Sequence, residues 1–539
     1  VTTGTRFGEL RRHLLALAFF IGLAIVHTWP LATAPGTWSR NDNADTVLNE
    51  WALAWVAHQV VTDPVHLFDA NIFYPERRTL AYSEHLVPQA VMVAPLLWSG
   101  ASPVLAHNVA LLLGLVLTAW AMCFVITRWT GSLPAGLVAG SLAAFNAHSL
   151  TRLAHVQAQH LEFLPLALLA LDRMLARPRL RQSVQAGVWL ALQSLTSGYF
   201  LVFSVLAAGL AIVARPAEWL GRDRRRAWAC IAATAATAAA LLLPFMLAYW
   251  RVRSEVGLVR ELDEVGRYSA RWSDWLATAG RLHFAAWSRQ FFKADALFPG
   301  VLASGLAGVA VATGVAWQDR RARMFLAMIV AAVPLSFGPA LPLYRLIYEA
   351  VPLLQGVRGA ARFGQLALVG LAALAGFGFA ALLARVVSSR RRVALVVVVL
   401  AIAAGEALRA PIPYFAFRGI PRIYDTLAAE PRAVVVHLPL FDPALAHANA
   451  GYMLGSTRHW HPTLNGYSGF IPQSYRTHRI ELGGFPDDRA MRYLNSLGVT
   501  HVVLDASTLT RERLAAARSS DRLRFMSSDG TISIFRLGQ

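Results

Sequence analysis

The sequence predicts a polytopic α-helical membrane protein, about eleven transmembrane helices followed by a small α/β extracytoplasmic domain. Three observations carry this. Hydrophobic residues make up 56% of the 539 and charged residues 15%, with a mean hydropathy of +0.45; a soluble globular chain carries about 25% charged residues. Apolar runs of spanning length recur from residue 13 to residue 410. The remaining segment, 411–539, gives up that character for alternating helical and strand-like pieces. The expected division is therefore a transmembrane domain over 1–410 and a soluble outer-face domain over 411–539.

The runs fall near 13–33, 103–127, 133–149, 161–175, 183–197, 199–214, 228–250, 297–316, 324–340, 363–386 and 393–410. The net charge of +19, carried by arginine with Lys293 as the single lysine, would suit a nucleic-acid partner as well as a topology signal. Its placement favours topology. Arg6, Arg11 and Arg12 precede the first run. Arg128 follows the second, Arg173, Arg177, Arg179 and Arg181 the fourth, and Arg215, Arg222, Arg224, Arg225 and Arg226 the sixth. Arg320, Arg321 and Arg323 follow the eighth, and Arg385, Arg390, Arg391 and Arg392 the tenth. Every alternate connection is basic, so the positive-inside rule puts the N-terminus in the cytoplasm and the C-terminal domain outside a bacterial inner membrane. Leu31-Ala32-Thr33-Ala34 resembles a signal-peptidase site, and cleavage of the first run is the alternative to a retained helix; the orientation is the same in both cases.

The long polar segments lie mostly on the outer side. The first, 34–87, opens with Asn41-Asp42-Asn43-Ala44-Asp45; Val47, Trp51, Ala54, Trp55 and His58 then recur at helical spacing, an interfacial helix with tryptophan at headgroup level. Residues 86–98 suit a second. Between the third and fourth runs, His148, Arg152, His155, Gln159 and Glu162 would form one polar stripe if helical, facing a cavity or lying solvated at the interface. The third segment, 251–295, mixes arginines with acids and tryptophans. The fourth, 341–362, ends with Arg358 and Arg362 four residues apart, suited to a phosphate or to snorkelling toward lipid headgroups. In the tail, 434–440, 501–505 and 532–537 read as strands and 422–429, 487–497 and 510–518 as helices. Between them lies HWHPTLNGYSGF, with His459, His461 and Tyr467, a loop that contacts a glycan, closes over a membrane site or is structural.

Cys123 and Cys230 fall inside apolar runs and read as neither metal ligands nor a disulfide. There is no Walker A run, HExxH or CxxC. Glycines within the runs are read as helix-packing positions.

Five stretches together resemble a bacterial group of GT-C-like membrane proteins: NDNADTVLNEWALAW, FDANIFYPERRTLAYSEH, RLAHVQAQHLEFLPLALLAL, QGVRGAARFGQLALVGLAAL and the NGYSGF loop. The resemblance covers nearly the whole chain. It implies an integral membrane glycosyltransferase that takes a hexose or pentose from a polyprenyl-phosphate carrier and passes it, with inversion, to a cell-envelope glycan, lipid or protein. The family's catalytic candidate is an acid in the first outer loop, which maps to Asp45 or Asp42; the usual adjacent acids are here three residues apart. The resemblance then implies Asp45 as the base that deprotonates the acceptor, with Asp42 as the alternative. Glu84 and His85 would line the cavity or position the acceptor. Arg152, His155, Gln159, Arg358 and Arg362 would hold the donor and its departing phosphate. A divalent cation, Mg or Mn, on Asp42 and Asp45 is the alternative source of positive charge. The competing functions are a transporter or flippase for a lipid-linked glycan and a non-catalytic envelope-assembly subunit. The one-sided gathering of polar residues disfavours the first, and harmless removal of Asp42 and Asp45 would mark the second.

Overall fold

The computed structural model describes residues 3–257, 260–293 and 295–538, with the backbone alone for 3–7. The side chain of Arg6, one of the charges ahead of the first run, lies outside the described residues. Each of the eleven apolar runs contains a helix. Among the described residues, four helical stretches are long and apolar enough to cross a membrane: Gly8–His27, Pro103–Thr130, Arg224–Val256 and Ala360–Arg385. The other seven helices are 12 to 17 residues long. Leu133–Ala144 stops short of the expected 149 because Asn146 caps a new turn, its Oδ1 accepting the Ser149 N–H at 3.0 Å. At 1.5 Å per residue this helix is only about 18 Å long.

The chain divides into two compact units. The first comprises 1–34, 109–245 and 259–413. Ala360–Arg385 is its most buried apolar helix, 78% buried over its most apolar stretch. Its glycines permit close contact: a Cβ on Gly378 would sit 1.9 Å from the Leu306 carbonyl oxygen. Gly140, on Leu133–Ala144, likewise leaves room for the Ala119 carbonyl, 2.4 Å from where a Cβ would stand. Both cysteines are buried and free.

Charge organises one end of this unit. Arg215, 0% exposed, donates to Asp172 at 2.6 Å and to Glu218 at 2.9 Å. Trp129 donates to Asp172 at 3.1 Å, and Arg320 and Arg321 approach the same carboxylates. The connections after the second, fourth, sixth and eighth runs thus meet in one ion-pair network. The connection between the third and fourth runs gathers other partners. Arg152 pairs with Asp295, Gln365 donates to the Ala158 carbonyl at 2.7 Å, and Arg409 donates to the Leu150 carbonyl at 3.0 Å.

The expected polar stripe over 148–162 is corrected. Ala147–Thr151 is one helical turn, Val156–Gln159 a 3-10 turn, and the next helix begins at Phe163. His155 has extended backbone, φ −113° and ψ 90°. Gln159 folds back to donate to the Ser149 and Arg152 carbonyls at 3.2 and 3.1 Å. Buried hydrogen bonds therefore set this segment rather than helical periodicity: His160 meets the Ala110 carbonyl at 3.0 Å, and Thr118 donates to the Gln159 carbonyl at 2.8 Å.

The second unit comprises 35–108, 246–258 and 414–539, so the first outer loop groups with the tail rather than with the 1–410 segment it was assigned to. Strands β1 (Trp38–Ser39) and β2 (Phe415–Ala416) pair antiparallel. Strands β3 (Val435–Leu438), β4 (His501–Asp505), β5 (Leu523–Ser528) and β6 (Ile532–Leu537) form a sheet in the order β3-β4-β6-β5, with β3 and β4 parallel and the other pairs antiparallel. Ile423, Tyr424, Leu427, Val435, Val503 and Ile534 form its core. The loop reaches this domain through backbone bonds from Phe73 to the Asn465 carbonyl, 3.0 Å, and from Tyr74 to the Thr463 carbonyl, 2.9 Å.

The amphipathic segment of the loop is a helix, Ala44–Thr62, and 86–98 yields a second, Val87–Trp98. Placing Trp51 and Trp55 at headgroup level is corrected. They are 1% and 5% exposed, and their indoles donate to Asn71 Oδ1 at 3.3 Å and to the Leu67 carbonyl at 2.9 Å. Helical spacing marks an apolar face without saying whether lipid or protein covers it.

Candidate functional site

The acidic run begins the Ala44–Thr62 helix. Asn43 caps it, its Oδ1 accepting the Asp45 N–H at 2.9 Å. Asp45 then falls in the first turn, where the helix N-terminus stabilises negative charge. Its Oδ1 accepts the Tyr467 hydroxyl at 2.7 Å. Asp42 is more exposed and pairs with Arg40 through both oxygens at 3.0 and 3.2 Å. The two carboxylates share an open cavity of about 460 Å³ with His447, Tyr467, Ser468 and Ile471.

The NGYSGF loop is built to present Tyr467. Asn465 is fully buried; it accepts the His437 N–H at 2.7 Å and donates to the His437 carbonyl at 2.9 Å and to Asn449 at 3.0 Å. Asn449 returns a bond to the Gly466 carbonyl at 3.2 Å. Gly466 lies against Phe73, whose ring atoms would be 2.7 Å from a Cβ there. The Tyr467 N–H points to the Met453 sulfur at 3.1 Å. Buried amides and a required glycine thus hold the loop beside the acid.

Glu84 and His85 are not among the residues lining this cavity. His85 is buried, its Nδ1 accepts the Val87 N–H at 3.1 Å, and burial pulls its pKa down to about 4. His459 and His461 stand in the same loop as Tyr467 but also outside the cavity. His459 Nδ1 accepts the His461 N–H at 3.0 Å, and His461 meets the Leu427 carbonyl at 3.0 Å.

Among the cationic candidates, all in the first unit, Arg152 is paired with Asp295. Arg152, His155, Asp295 and Arg362 lie near enough to His148 to act on its charge. Gln159 is buried in backbone bonding. Arg358 and Arg362 do not share a helix turn, since Ala360–Arg362 is a 3-10 turn ahead of the Phe363–Arg385 helix. Each instead lies over a tyrosine ring, Arg358 over Tyr268 at 4.8 Å and Arg362 over Tyr199 at 4.0 Å. Neither has an ion-pair partner among the described residues.

Sequence reasoning passed over Glu50, one turn beyond Thr46 in the quoted NDNADTVLNEWALAW stretch. It is 1% exposed, burial pushes its pKa up to about 7, and Ser39 donates to its Oε1 at 2.8 Å while Oε2 is buried without a partner. An acid among apolar helix neighbours was the available signal. His447 and Asp295 were also missed, and nothing in their local sequence marks them.

No family model and no curated protein matches the sequence. Solved structures do. Arabinofuranosyltransferase AftD from Mycobacteria aligns with a TM-score of 0.62 over 98% of this chain and 40% of its own, at 16% identity. The oligosaccharyltransferase AglB from Archaeoglobus fulgidus, in complex with an inhibitory peptide and a dolichol-phosphate, aligns with a TM-score of 0.52 over 100% of this chain and 75% of its own, at 14% identity. The apo form of the Archaeoglobus fulgidus oligosaccharyltransferase gives a TM-score of 0.53. The chain spans about two fifths of AftD's length.

Proposed function

From the fold that this chain shares with membrane glycosyltransferases of the GT-C superfamily, we propose that it transfers a sugar from a polyprenyl-phosphate carrier to an envelope acceptor on the outer face of a bacterial inner membrane. The observation that carries the proposal is Asp45. A carboxylate in the first outer loop, where the resembled family keeps its catalytic acid, opens on a cavity and is held by Tyr467 at 2.7 Å.

In the proposed reaction an Asp45 oxygen takes the proton from the acceptor hydroxyl as the acceptor's own oxygen attacks the anomeric carbon. The bond from the anomeric carbon to the carrier phosphate oxygen breaks, the phosphate leaves as an anion, and the anomeric centre inverts. Tyr467 orients the carboxylate. Within the first unit, Arg358 and Arg362 lie over tyrosine rings and have no carboxylate partner among the described residues, an arrangement that suits a phosphate. Asp42 is the weaker candidate base because Arg40 already neutralises it.

Among the described residues no group of three or more His, Cys, Asp or Glu could hold a metal ion. Asp42 and Asp45, which line the cavity with His447, are the residues that would hold a Mg or Mn ion, and such an ion would supply positive charge. AglB is solved in complex with a dolichol-phosphate, which supports a lipid-phosphate carrier here. The proposed topology treats all eleven helices as crossing, with the N-terminus cytoplasmic.

The test is transfer of labelled sugar from a pool of polyprenyl-phosphate sugars by the purified chain in lipid, with and without chelator. Wild type, Asp45→Asn and Asp42→Asn are compared. Loss of at least two orders of magnitude in Asp45→Asn, the low end of a general base's contribution, with a smaller loss in Asp42→Asn, is expected. Full activity in Asp45→Asn refutes the assigned base.

A further inference from the structure

A second cavity, about 740 Å³, lies at the other end of the Ala44–Thr62 helix, within the same unit. From Asp45 to His58 is 13 residues, about 20 Å of helix. Its walls are the C-terminal half of that helix, the end of Val87–Trp98, the loop through Phe417 and Arg418, and the turn at Trp460.

Two features of this cavity are unusual. Trp460 holds a left-handed backbone, φ 60°, although it is a bulky side chain. That conformation costs on the order of 1–3 kcal/mol and persists where the surroundings enforce it. Here it lays the indole flat on His58, with centroids 4.1 Å apart and planes at 6°, and Trp55 packs against it at 6.2 Å with its ring tilted by 56°. The result is a rigid aromatic face on the cavity wall. Trp98 adds a second ring, 56% exposed and anchored through its indole N–H to the Ala57 carbonyl at 2.9 Å.

The second feature is charge. Arg418, Arg422 and Arg458 line the cavity, and no Asp or Glu does. Arg458 pairs with Asp425 at 2.8 Å. Arg418 and Arg422 are exposed and have no carboxylate partner among the described residues. Fixed, flat aromatic faces suit the C–H face of a pyranose or furanose ring, and fork-shaped guanidiniums suit a carboxylate or phosphate.

We propose that this groove binds an anionic saccharide, a glycan segment bearing uronate or phosphate groups, and so holds an acceptor at a point remote from the transferring carboxylate. The inference rests on the glycosyltransferase reading for its biological sense, but its test does not. Remote contacts of this kind would make longer acidic acceptors better substrates than short ones.

The experiment measures binding to the intact chain in detergent, without any sugar donor. Intrinsic tryptophan fluorescence is titrated with a panel of uronate and phosphorylated oligosaccharides, their neutral carboxyl-reduced or dephosphorylated counterparts, and the soluble glycerophosphoglycerol headgroup. The expected result is saturable binding of at least one acidic oligosaccharide, with its neutral counterpart at least tenfold weaker. The double variant Arg418→Gln/Arg422→Gln, whose side chains are exposed and unpartnered, is expected to weaken the acidic ligand at least tenfold and the neutral one little. Three results would overturn the proposal: no acidic oligosaccharide binds, acidic and neutral ligands bind equally, or only the lipid headgroup binds, which would reassign the groove to the membrane. Binding without transfer would sink the catalytic reading and leave the groove; transfer without binding would do the reverse.

Discussion

Acid should unfasten the second unit before the chain reaches ordinary denaturing pH. His437 is 1% exposed, stacks on Tyr452 at 4.7 Å, and has no hydrogen-bond partner on either ring nitrogen among the described residues. His459, 6% exposed, has a partner only on Nδ1. Burial pulls both pKa values down from 6.5 to about 3, helped for His459 by neighbouring His437, His461 and His501; Asp505 acts weakly the other way on His437. Both are neutral in the folded chain and take up protons on unfolding. Stability is therefore flat above pH 6.5 and falls as the pH drops from 6.5 toward 3. Each pH unit in that window removes about 1.4 kcal/mol per histidine. At pH 5 the pair has lost about 4 kcal/mol, a large part of a typical 5–15 kcal/mol. The assay is amide hydrogen exchange of β3 and the 459–466 loop by mass spectrometry at pH 7.5 and 5, corrected for intrinsic rates. Protection should fall by about a thousandfold, and His437→Phe, which keeps a ring and removes one titration, should recover about half of that loss on a logarithmic scale. Equal protection at the two pH values, or an unchanged pH response in His437→Phe, would refute the reasoning.

Three other expectations follow from named contacts. Tyr467→Phe removes one hydrogen bond to Asp45 and should lower transfer about tenfold, the scale of one such bond, with rates measured in the same labelled-sugar assay. Arg215→Met strands Asp172 and Glu218 in a buried network and should cost about 3–5 kcal/mol, read as a lower midpoint for thermal unfolding in detergent. Gly466→Ala drives a methyl to within 2.7 Å of the Phe73 ring; such overpacking costs about 1–3 kcal/mol, so the midpoint should fall and transfer with it.

Local pattern carried most of the elements into view. The eleven apolar runs each became a helix, and strands expected at 434–440, 501–505 and 532–537 are β3, β4 and β6 with minor trimming. Strand β5 escaped notice because LRFMSS has one buried residue at its start and no alternating face. The stripe from His148 to Glu162 misled because charge spacing said nothing about the backbone bonds of Gln159 and the cap at Asn146. Trp51 and Trp55 were sited by a rule for lipid interfaces, and their true partners, Asn71 and Leu67, lie in a loop without regular pattern. For the site, the acids were legible as residues and Tyr467 as a loop member. Their pairing was not, because two segments so distant in sequence meet only through tertiary packing.

That pairing joins residues 422 positions apart. A ribosome making this chain releases Asp45 early, while its hydroxyl partner and the Asn465–Asn449 clasp around it do not yet exist. The carboxylate therefore spends most of synthesis without the hydroxyl that orients it. Completion of the β3-to-loop segment acts as a timer: the acid gains its geometry only when nearly all of the helical chain has already been made. A chain stalled or clipped before residue 467 would carry all eleven apolar helices and still lack the hydroxyl that holds Asp45.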